Sequence, residues 1–163
     1  MNIFFFTKDV NLNSRLLDDK RLVKMVLETT QLLSNGLFLN NCRSPYNPTH
    51  LKHPCSIWAA KSCGNWKWLR LYGLALAKEY TRRFGKIHKC EKLIRLMKCP
   101  KSKNIKFTNP PQCMPIQYKN KRTDIAYINY YINEKFNPKY FRRTDKCIFD
   151  LWKKLVKIGK NIK

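Results

Sequence analysis

A line of polar side chains runs along an otherwise apolar stretch near the N-terminus. Its members recur at intervals of three or four residues, at Lys20, Lys24, Glu28 and Gln31. This spacing places them on one face of a helix whose other faces are largely apolar. Two interpretations stay open. The stripe is either a solvated edge whose Lys24–Glu28 pair adds roughly 0.2–0.5 kcal/mol, or the lining of a cleft in which the carboxylate and ammonium groups perform acid–base chemistry.

Carboxylates are scarce, with ten Asp and Glu residues in the whole chain. Most of them are explained as helix caps or as partners of neighbouring Lys and Arg. Glu28 and Glu79 differ because each is embedded in an apolar helical segment. Glu28 is therefore the first candidate for a catalytic carboxylate and Asp19 the second. Lys20 and Lys24 complete the candidate catalytic set because they share the stripe with Glu28.

Metal-ligating residue types occur together in the segment His50-x-x-His53-Pro54-Cys55, with Cys63 further along. A structural zinc site needs four well-placed ligands, and no second H-x-x-H or C-x-x-C motif supports this group. The seven cysteines are odd in number and irregular in spacing, which favours reduced thiols over a disulfide framework. The sequence therefore predicts no bound metal and no cofactor.

The chain is strongly basic, with 34 Lys and Arg against 10 Asp and Glu and a formal net charge of +24. It is also 44% hydrophobic, so it folds rather than remaining disordered. Such a charge excess predicts a polyanionic partner. Basic residues on successive turns between Lys78 and Lys89 stand beside aromatic residues, a pattern typical of phosphate contact and base stacking. We expect DNA contacts from Arg21, His53, Trp58, Arg82, Arg83, Lys86, His88, Lys89, Gln112, Tyr130, Arg142 and Arg143.

The periodicity predicts a mainly α protein, a single compact helical domain over residues 1–163 with about five helices and a short N-terminal strand or extended segment at 2–7. Helices are predicted over 14–35, ending at Gly36, over 56–84, interrupted or continuous at Gly64 and ending at Gly85, and over 88–98, 123–135 and 144–158. The proline-rich stretches 40–54 and 100–122 are predicted loops. No apolar run is long enough to span a membrane, and residues 1–6 lack the features of a signal peptide. An intracellular, soluble protein is expected.

Five segments in chain order resemble a family of small proteins from tailed phages and large DNA viruses. They are 19–28 (DKRLVKMVLE), 53–59 (HPCSIWA), 79–89 (EYTRRFGKIHK), 111–115 (PQCMP) and 130–135 (YYINEK). Some members of that family are identified as pyrimidine-dimer DNA glycosylases. The resemblance implies an N-terminal amine that attacks the sugar C1′ and a helical glutamate that assists it, a role that falls on Glu28. Because Asn2 is too large for routine removal of Met1, Lys20 or Lys24 is the alternative Schiff-base nucleophile.

Three functions follow from these observations. The favoured one is a DNA glycosylase, with or without AP-lyase activity, that acts on damaged or modified bases of double-stranded DNA as a monomer, in an infected host cell or a virion. The second is a DNA-binding or packaging protein without chemistry, which leaves the Glu28 stripe as plain surface. The third is a metal-dependent nuclease, which needs clustered carboxylates and has only Asp18 and Asp19 with Glu28 to supply them.

Overall fold

The computed structural model describes residues 2–101 and 103–161, and in those residues it contains seven α-helices and no β-strand. The helices are α1 (Val10–Arg15), α2 (Asp19–Phe38), α3 (Pro54–Lys61), α4 (Cys63–Phe84), α5 (Glu91–Leu96), α6 (Thr123–Tyr130) and α7 (Lys146–Asn161). The mainly α prediction is confirmed. Helix α2 lies at the centre, where it packs against α3, α4 and α5. No helix among the described residues is long and apolar enough to cross a membrane.

The N-terminal segment is extended and buried, but it pairs with no strand among the described residues. The side chain of Asn13 in α1 takes the place of a strand partner. Its Oδ1 accepts a hydrogen bond from the Phe6 amide at 2.8 Å, and its Nδ2 donates to the Phe4 carbonyl at 2.8 Å. The rings of Phe4 and Phe6 both pack edge-on against Tyr131. The segment is thereby fixed in the core, and its first described residue, Asn2, is held at a defined place.

The first predicted helix is two helices in the structure. Helix α1 ends at Arg15, and α2 starts after Asp18, whose carboxylate accepts a hydrogen bond from the Arg21 amide at 2.9 Å as its N-cap. The predicted helix end at Gly36 is wrong, since α2 continues to Phe38. A Cβ on Gly36 would lie 2.9 Å from the Trp66 ring. The glycine therefore serves the close packing of α4 on α2.

The second predicted helix is interrupted two residues before Gly64. Ser62 is extended and caps α4, because its hydroxyl accepts a hydrogen bond from the Asn65 amide at 3.0 Å. Gly64 instead allows the backbone of residues 105–107 to pass close to the helix. The predicted end at Gly85 is confirmed by a left-handed φ of 65°, which glycine adopts without steric cost.

The C-terminal third wraps around this core. Helix α6 continues into a π-helical turn over Tyr131–Lys135, so the predicted helix over 123–135 changes its hydrogen bonding near its end. Trp152 of α7 is buried, and its indole donates to the Leu16 carbonyl at 2.8 Å. The basic stretch 100–122 is irregular apart from a 3₁₀ turn at Ile116–Tyr118. Its residues 111–115, called the PQCMP loop below, lie beside the polar stripe of α2.

Candidate active site

The polar stripe of α2 faces an open cleft of about 440 Å³. The cleft is lined by the N-terminal segment, α2, the residue before α3, the PQCMP loop and the π-helical turn. Its charged lining residues are Lys20, Arg21, Lys24, Glu28 and Lys135. Glu28 is thus the single carboxylate among the described lining residues, and it stands in a group of cations.

The carboxylate of Glu28 has one contact on each oxygen. Its Oε2 accepts a hydrogen bond from the backbone amide of Asn2 at 3.3 Å, and its Oε1 lies 3.3 Å from the ammonium of Lys24. The Glu28 side chain is only 12% exposed, while that of Lys24 is 70% exposed. Glu28 is therefore partly desolvated at the floor of the cleft, whereas Lys24 reaches out into solvent.

Asn2 is held by its own side chain as well as by Glu28. Its Nδ2 donates to the Cys113 carbonyl at 2.9 Å, and its Oδ1 accepts from the Tyr127 hydroxyl at 2.7 Å. The same hydroxyl lies 2.7 Å from the Pro111 carbonyl. The residue-2 nitrogen is thus held against Glu28 by contacts from α6 and the PQCMP loop. Met1, the residue before Asn2, lies outside the described residues.

The remaining candidate catalytic residues are placed differently. Lys20 lines the cleft, but its ammonium lies 4.8 Å above the Tyr140 ring. Asp19 does not line the cleft. Its carboxylate accepts hydrogen bonds from the Arg83 guanidinium at 3.1 Å and from the Arg143 amide at 2.8 Å. These contacts give Asp19 a structural role in place of the catalytic one expected.

Arg83 is an interior residue with a fully buried side chain. Its guanidinium donates to Glu79 at 2.7 Å, to Asp19 at 3.1 Å and to the Leu17 carbonyl at 2.8 Å. Burial would raise the pKa of Glu79, but hydrogen bonds from Arg82 and Arg83 outweigh it and hold that pKa below its ordinary value. The DNA contact expected of Arg83 is therefore replaced by an internal ion network.

Trp58 is interior too. Its indole donates to the Thr108 carbonyl at 3.1 Å, and its ring packs against Trp68 and Phe107. Aromatic residues interleaved with basic ones look the same in sequence whether they stack on bases or fill the core. Here Trp58 fills the core, in place of the DNA contact expected of it.

The other expected DNA contacts fall into three groups. Arg21, His53 and Tyr130 line the cleft, and Gln112 lines the cavity beside it. Lys86, Lys89, Arg142 and Arg143 are exposed elsewhere on the surface. Arg82 is tied to Glu79 and Asp145, and His88 is half-buried against Tyr80. The structure thus brings one part of the expected DNA face to the cleft and leaves another part outside it.

A cluster of sulfur and imidazole ligands borders the cleft. One ring nitrogen of His53 and the sulfurs of Cys55 and Cys113 lie within 4.8 Å of one another. The thiols of Cys55 and Cys113 share a hydrogen bond, which lowers the pKa of Cys113 to about 7, while that hydrogen bond and burial raise the pKa of Cys55. Burial lowers the pKa of His53, so its ring is neutral at pH 7. His50 and Cys63, the other members of the segment weighed from sequence, do not join this cluster.

Sequence reasoning missed three residues that shape the cleft, Asn2, Cys113 and Tyr127. Asn2 contacts Cys113 and Tyr127 across 111 and 125 positions of the chain. Helical periodicity is local and contains no signal for such contacts. The one available hint was the family resemblance noted for residues 111–115.

The first part of the chain has a clear relationship to known proteins. A family model described as pyrimidine dimer DNA glycosylase matches residues 1–92. Searches of curated proteins and of solved structures find no match. The matched residues include the N-terminal segment, Glu28 with its stripe, and His53. Because the match covers more than half of the chain, the protein belongs to the pyrimidine dimer DNA glycosylase family, whose members act on DNA.

Proposed function

We propose that the cleft around Glu28 breaks the glycosidic bond of one pyrimidine of a dimer in double-stranded DNA, so that this base stays attached only to its partner pyrimidine, and that the strand is then cleaved at the resulting abasic site. The observation that carries this proposal is the contact of the residue-2 nitrogen with Glu28 at 3.3 Å. It places the amide nitrogen of residue 2, one residue after Met1, against the glutamate to which the family resemblance assigns the assisting role. The family membership supports the choice of a pyrimidine dimer as substrate.

The chemistry requires a nucleophile and a negative charge in one place. Breaking the bond between the base and C1′ develops positive charge on the deoxyribose, which the Glu28 carboxylate stabilises. The amine lone pair forms a bond to C1′, and the pyrimidine leaves with the electrons of the glycosidic bond and takes up a proton. Glu28 accepts the proton that the attacking amine loses. We assign both roles to Glu28 because it is the single carboxylate among the described lining residues.

The same amine explains strand cleavage. After attack, opening of the sugar ring converts the amine–C1′ adduct into an imine, which makes the C2′ protons acidic. Removal of one of them by Glu28 expels the 3′ phosphate as the leaving group. The protein thereby acts as a glycosylase and an AP lyase, and hydrolysis of the imine releases the chain.

We assign the nucleophile to the N-terminal amine of a chain from which Met1 has been removed. Because Asn2 does not favour that removal, Lys24 is the alternative nucleophile. A chain that begins at Asn2 presents its amine 3.3 Å from Glu28 Oε2, and Lys24 presents its ammonium at 3.3 Å from Oε1. α-Amino groups have an ordinary pKa of about 8, against about 10.4 for lysine, so more of the α-amine is free to attack. A lysine nucleophile is usually activated by desolvation, and Lys24 is 70% exposed.

The cations around the cleft provide the contacts with the DNA backbone. Lys20, Arg21, Lys24 and Lys135 line the cleft itself. Lys119 and Lys121 line the adjoining cavity of about 1040 Å³. Phosphate contacts of this kind set position and affinity without reading sequence, which suits an enzyme that recognises damage. One chain supplies all these groups, and we propose that it acts as a monomer.

A duplex oligonucleotide with a single thymine dimer tests the function. We expect strand breaks at the dimer in magnesium-free buffer and none in the matched undamaged duplex. Breaks before alkali treatment indicate lyase activity, and breaks that require alkali indicate a glycosylase alone. Tight binding without either product would instead support a binding protein. Magnesium-dependent cutting of undamaged DNA would indicate a nuclease, for which the structure shows no carboxylate cluster among the described residues.

A further inference from the structure

Three ligand-bearing side chains converge where α3 begins. His53 is the N-cap of α3, Cys55 is buried in its first turn, and Cys113 comes from the PQCMP loop. The two sulfurs are 3.6 Å apart, and one nitrogen of the His53 ring lies within 4.8 Å of both. Cys55 and Cys113 are 58 positions apart in the chain, so the fold alone brings them together.

The separation of the sulfurs fits a shared metal ion. Zinc binds thiolate sulfur at about 2.3 Å in tetrahedral geometry, which puts two coordinated sulfurs roughly 3.8 Å apart. The observed distance of 3.6 Å between the sulfurs of Cys55 and Cys113 is already close to this separation. An imidazole with two thiolates is a ligand set that zinc prefers.

We propose that His53, Cys55 and Cys113 bind one zinc ion, with water as the fourth ligand. His53 and Cys113 line both the cavity of about 1040 Å³ and the cleft, so water reaches the open position. Two thiolates neutralise the charge of the dication. This matters because Lys119 and Lys121 line the same cavity and would repel an uncompensated cation.

Zinc binding replaces one local hydrogen bond of His53 with a connection between α3 and the PQCMP loop. Nδ1 of His53 accepts a hydrogen bond from the Cys55 amide at 3.1 Å, and the ring gives up this bond when it turns a lone pair to the ion. In return, the ion ties the start of α3 to the PQCMP loop. Because the Cys113 carbonyl accepts the hydrogen bond of the Asn2 side chain, this link also steadies the N-terminal segment. The zinc ion thus joins the start of α3 to the PQCMP loop beside the cleft, and its existence does not depend on the proposed glycosylase activity.

Cobalt provides a spectroscopic probe of the site. The full chain, reduced and freed of metal with a chelator, is titrated with Co²⁺ in the absence of DNA. We expect one equivalent to give a thiolate-to-cobalt charge-transfer band and the visible bands of tetrahedral cobalt, and one equivalent of Zn²⁺ to abolish both. Zinc should also raise the melting temperature of the chain. A spectrum without the charge-transfer band overturns the proposal.

Two variants assign the site to these residues. Cys113→Ser removes a ligand from a loop, and His53→Asn removes the imidazole while keeping a side chain that caps helices well. Each should weaken cobalt affinity by more than about 100-fold, beyond the usual effect of changes outside the ligand shell. Cys147→Ser, at an exposed thiol, is the matched control and should leave the spectrum unchanged. A charge-transfer band that survives in Cys113→Ser would place the metal at other cysteines and refute the assignment.

Discussion

The backbone nitrogen of Asn2 lies 3.3 Å from Oε2 of Glu28, although the two residues are 26 positions apart. This contact supports the interpretation of the polar stripe as the lining of a cleft. An exposed Lys24–Glu28 pair alone would be an ordinary surface feature. With the start of the chain held against its other oxygen, Glu28 has a partly desolvated carboxylate at a point where an amine can be presented to it.

Replacement of Glu28 by Gln tests the carboxylate. The amide keeps the shape and can still accept a hydrogen bond from Asn2, but it removes the charge. We expect the rate of glycosidic-bond cleavage at the dimer of a thymine-dimer duplex, read as abasic sites or strand breaks, to fall by about 100- to 1,000-fold under single-turnover conditions. DNA affinity should not weaken, and the free energy of unfolding should change by less than about 1 kcal/mol, since the pair with Lys24 is exposed on one side.

Asp150→Asn is the matched control for this experiment. Asp150 forms an ion pair with Lys153 on the exposed face of α7, so the same change of charge occurs away from the cleft. Its base release should equal that of the wild type. Normal excision by Glu28→Gln would show that the stripe is plain surface and that the proposed site is misplaced.

Borohydride trapping identifies the nucleophile. Two forms of the chain are compared, one that starts with Met1 and one that starts with Asn2 after cleavage of a removable tag. We expect the Asn2 form to give a covalent adduct with dimer-containing DNA, and peptide mapping to place it on the terminal amine. Lys24→Ala in the same form should still be trapped. Loss of the adduct in Lys24→Ala or in Lys20→Ala would identify that lysine as the nucleophile.

Tyr127 is expected to act by positioning residue 2. Its hydroxyl contacts Asn2 Oδ1 and the Pro111 carbonyl, each at 2.7 Å. Tyr127→Phe should lower the single-turnover rate by about tenfold, through loss of alignment, and leave the Kd for DNA unchanged. It should also cost roughly 1 kcal/mol of stability. Tyr118→Phe, which removes a hydroxyl bonded to Glu134 on the surface, is the control and should keep the full rate. A purely structural role for Tyr127 would lower stability without lowering the rate of the folded protein.

The parts of the site that depend on residues close together in the chain could be predicted from the sequence. The stripe of α2 and its glutamate follow from helical spacing, and the end of α4 follows from Gly85, because both signals lie within a few residues. The partners of Glu28 were not predictable in this way. Asn2 reaches it through a segment buried by Tyr131 and fastened by Asn13, and this arrangement exists only once the chain is folded.

Gly36 and Arg83 show the same limit of prediction from local sequence. Gly36 suggested a helix end, but tertiary packing against Trp66 explains it. Arg83 suggested a phosphate contact, because an arginine in a basic run looks alike whether it is buried or exposed. Glu79 lies four residues before Arg83 on the same helix, but Asp19 of α2 reaches Arg83 only in the folded chain.

The salt dependence of DNA binding locates the interface. If Lys24 and Lys135 each neutralise a phosphate, the double alanine variant should reduce the slope of log K against log salt by roughly 1.8, about 0.9 for each contact. Damaged and undamaged duplexes should be weakened alike. Lys86 and Lys89, the exposed lysines of the basic run expected to bind DNA, provide the comparison. A slope that changes only when Lys86 and Lys89 are replaced would place the DNA on that surface and away from the cleft.

The network around Arg83 should govern stability in acid. Because the pKa of Glu79 is held below its ordinary value of 4.5, the carboxylate stabilises the fold above that pH. Its contribution is lost as the pH falls through the lower pKa of the folded state. The contribution of Glu79 to the free energy of unfolding, measured with urea as the difference between the wild type and Glu79→Gln, should therefore stay level from pH 7 to about 5 and decline below 4.5. The free energy of unfolding of Glu79→Gln itself should decline less steeply, and an identical decline in the two proteins would contradict the assignment.

Replacement of Arg83, the central residue of the same network, tests its contribution to stability. Arg83→Ala leaves Glu79 and Asp19 buried without their shared cation, and breaking such a pair typically costs about 3–5 kcal/mol. Arg82→Ala removes a guanidinium that also binds Glu79 but is 47% exposed, so it should cost less than about 1 kcal/mol. Both variants, assayed below their melting temperatures, should release bases at the wild-type rate, since neither residue lines the cleft. A large loss of DNA affinity in Arg83→Ala with unchanged stability would mean that Arg83 leaves the core to contact phosphate.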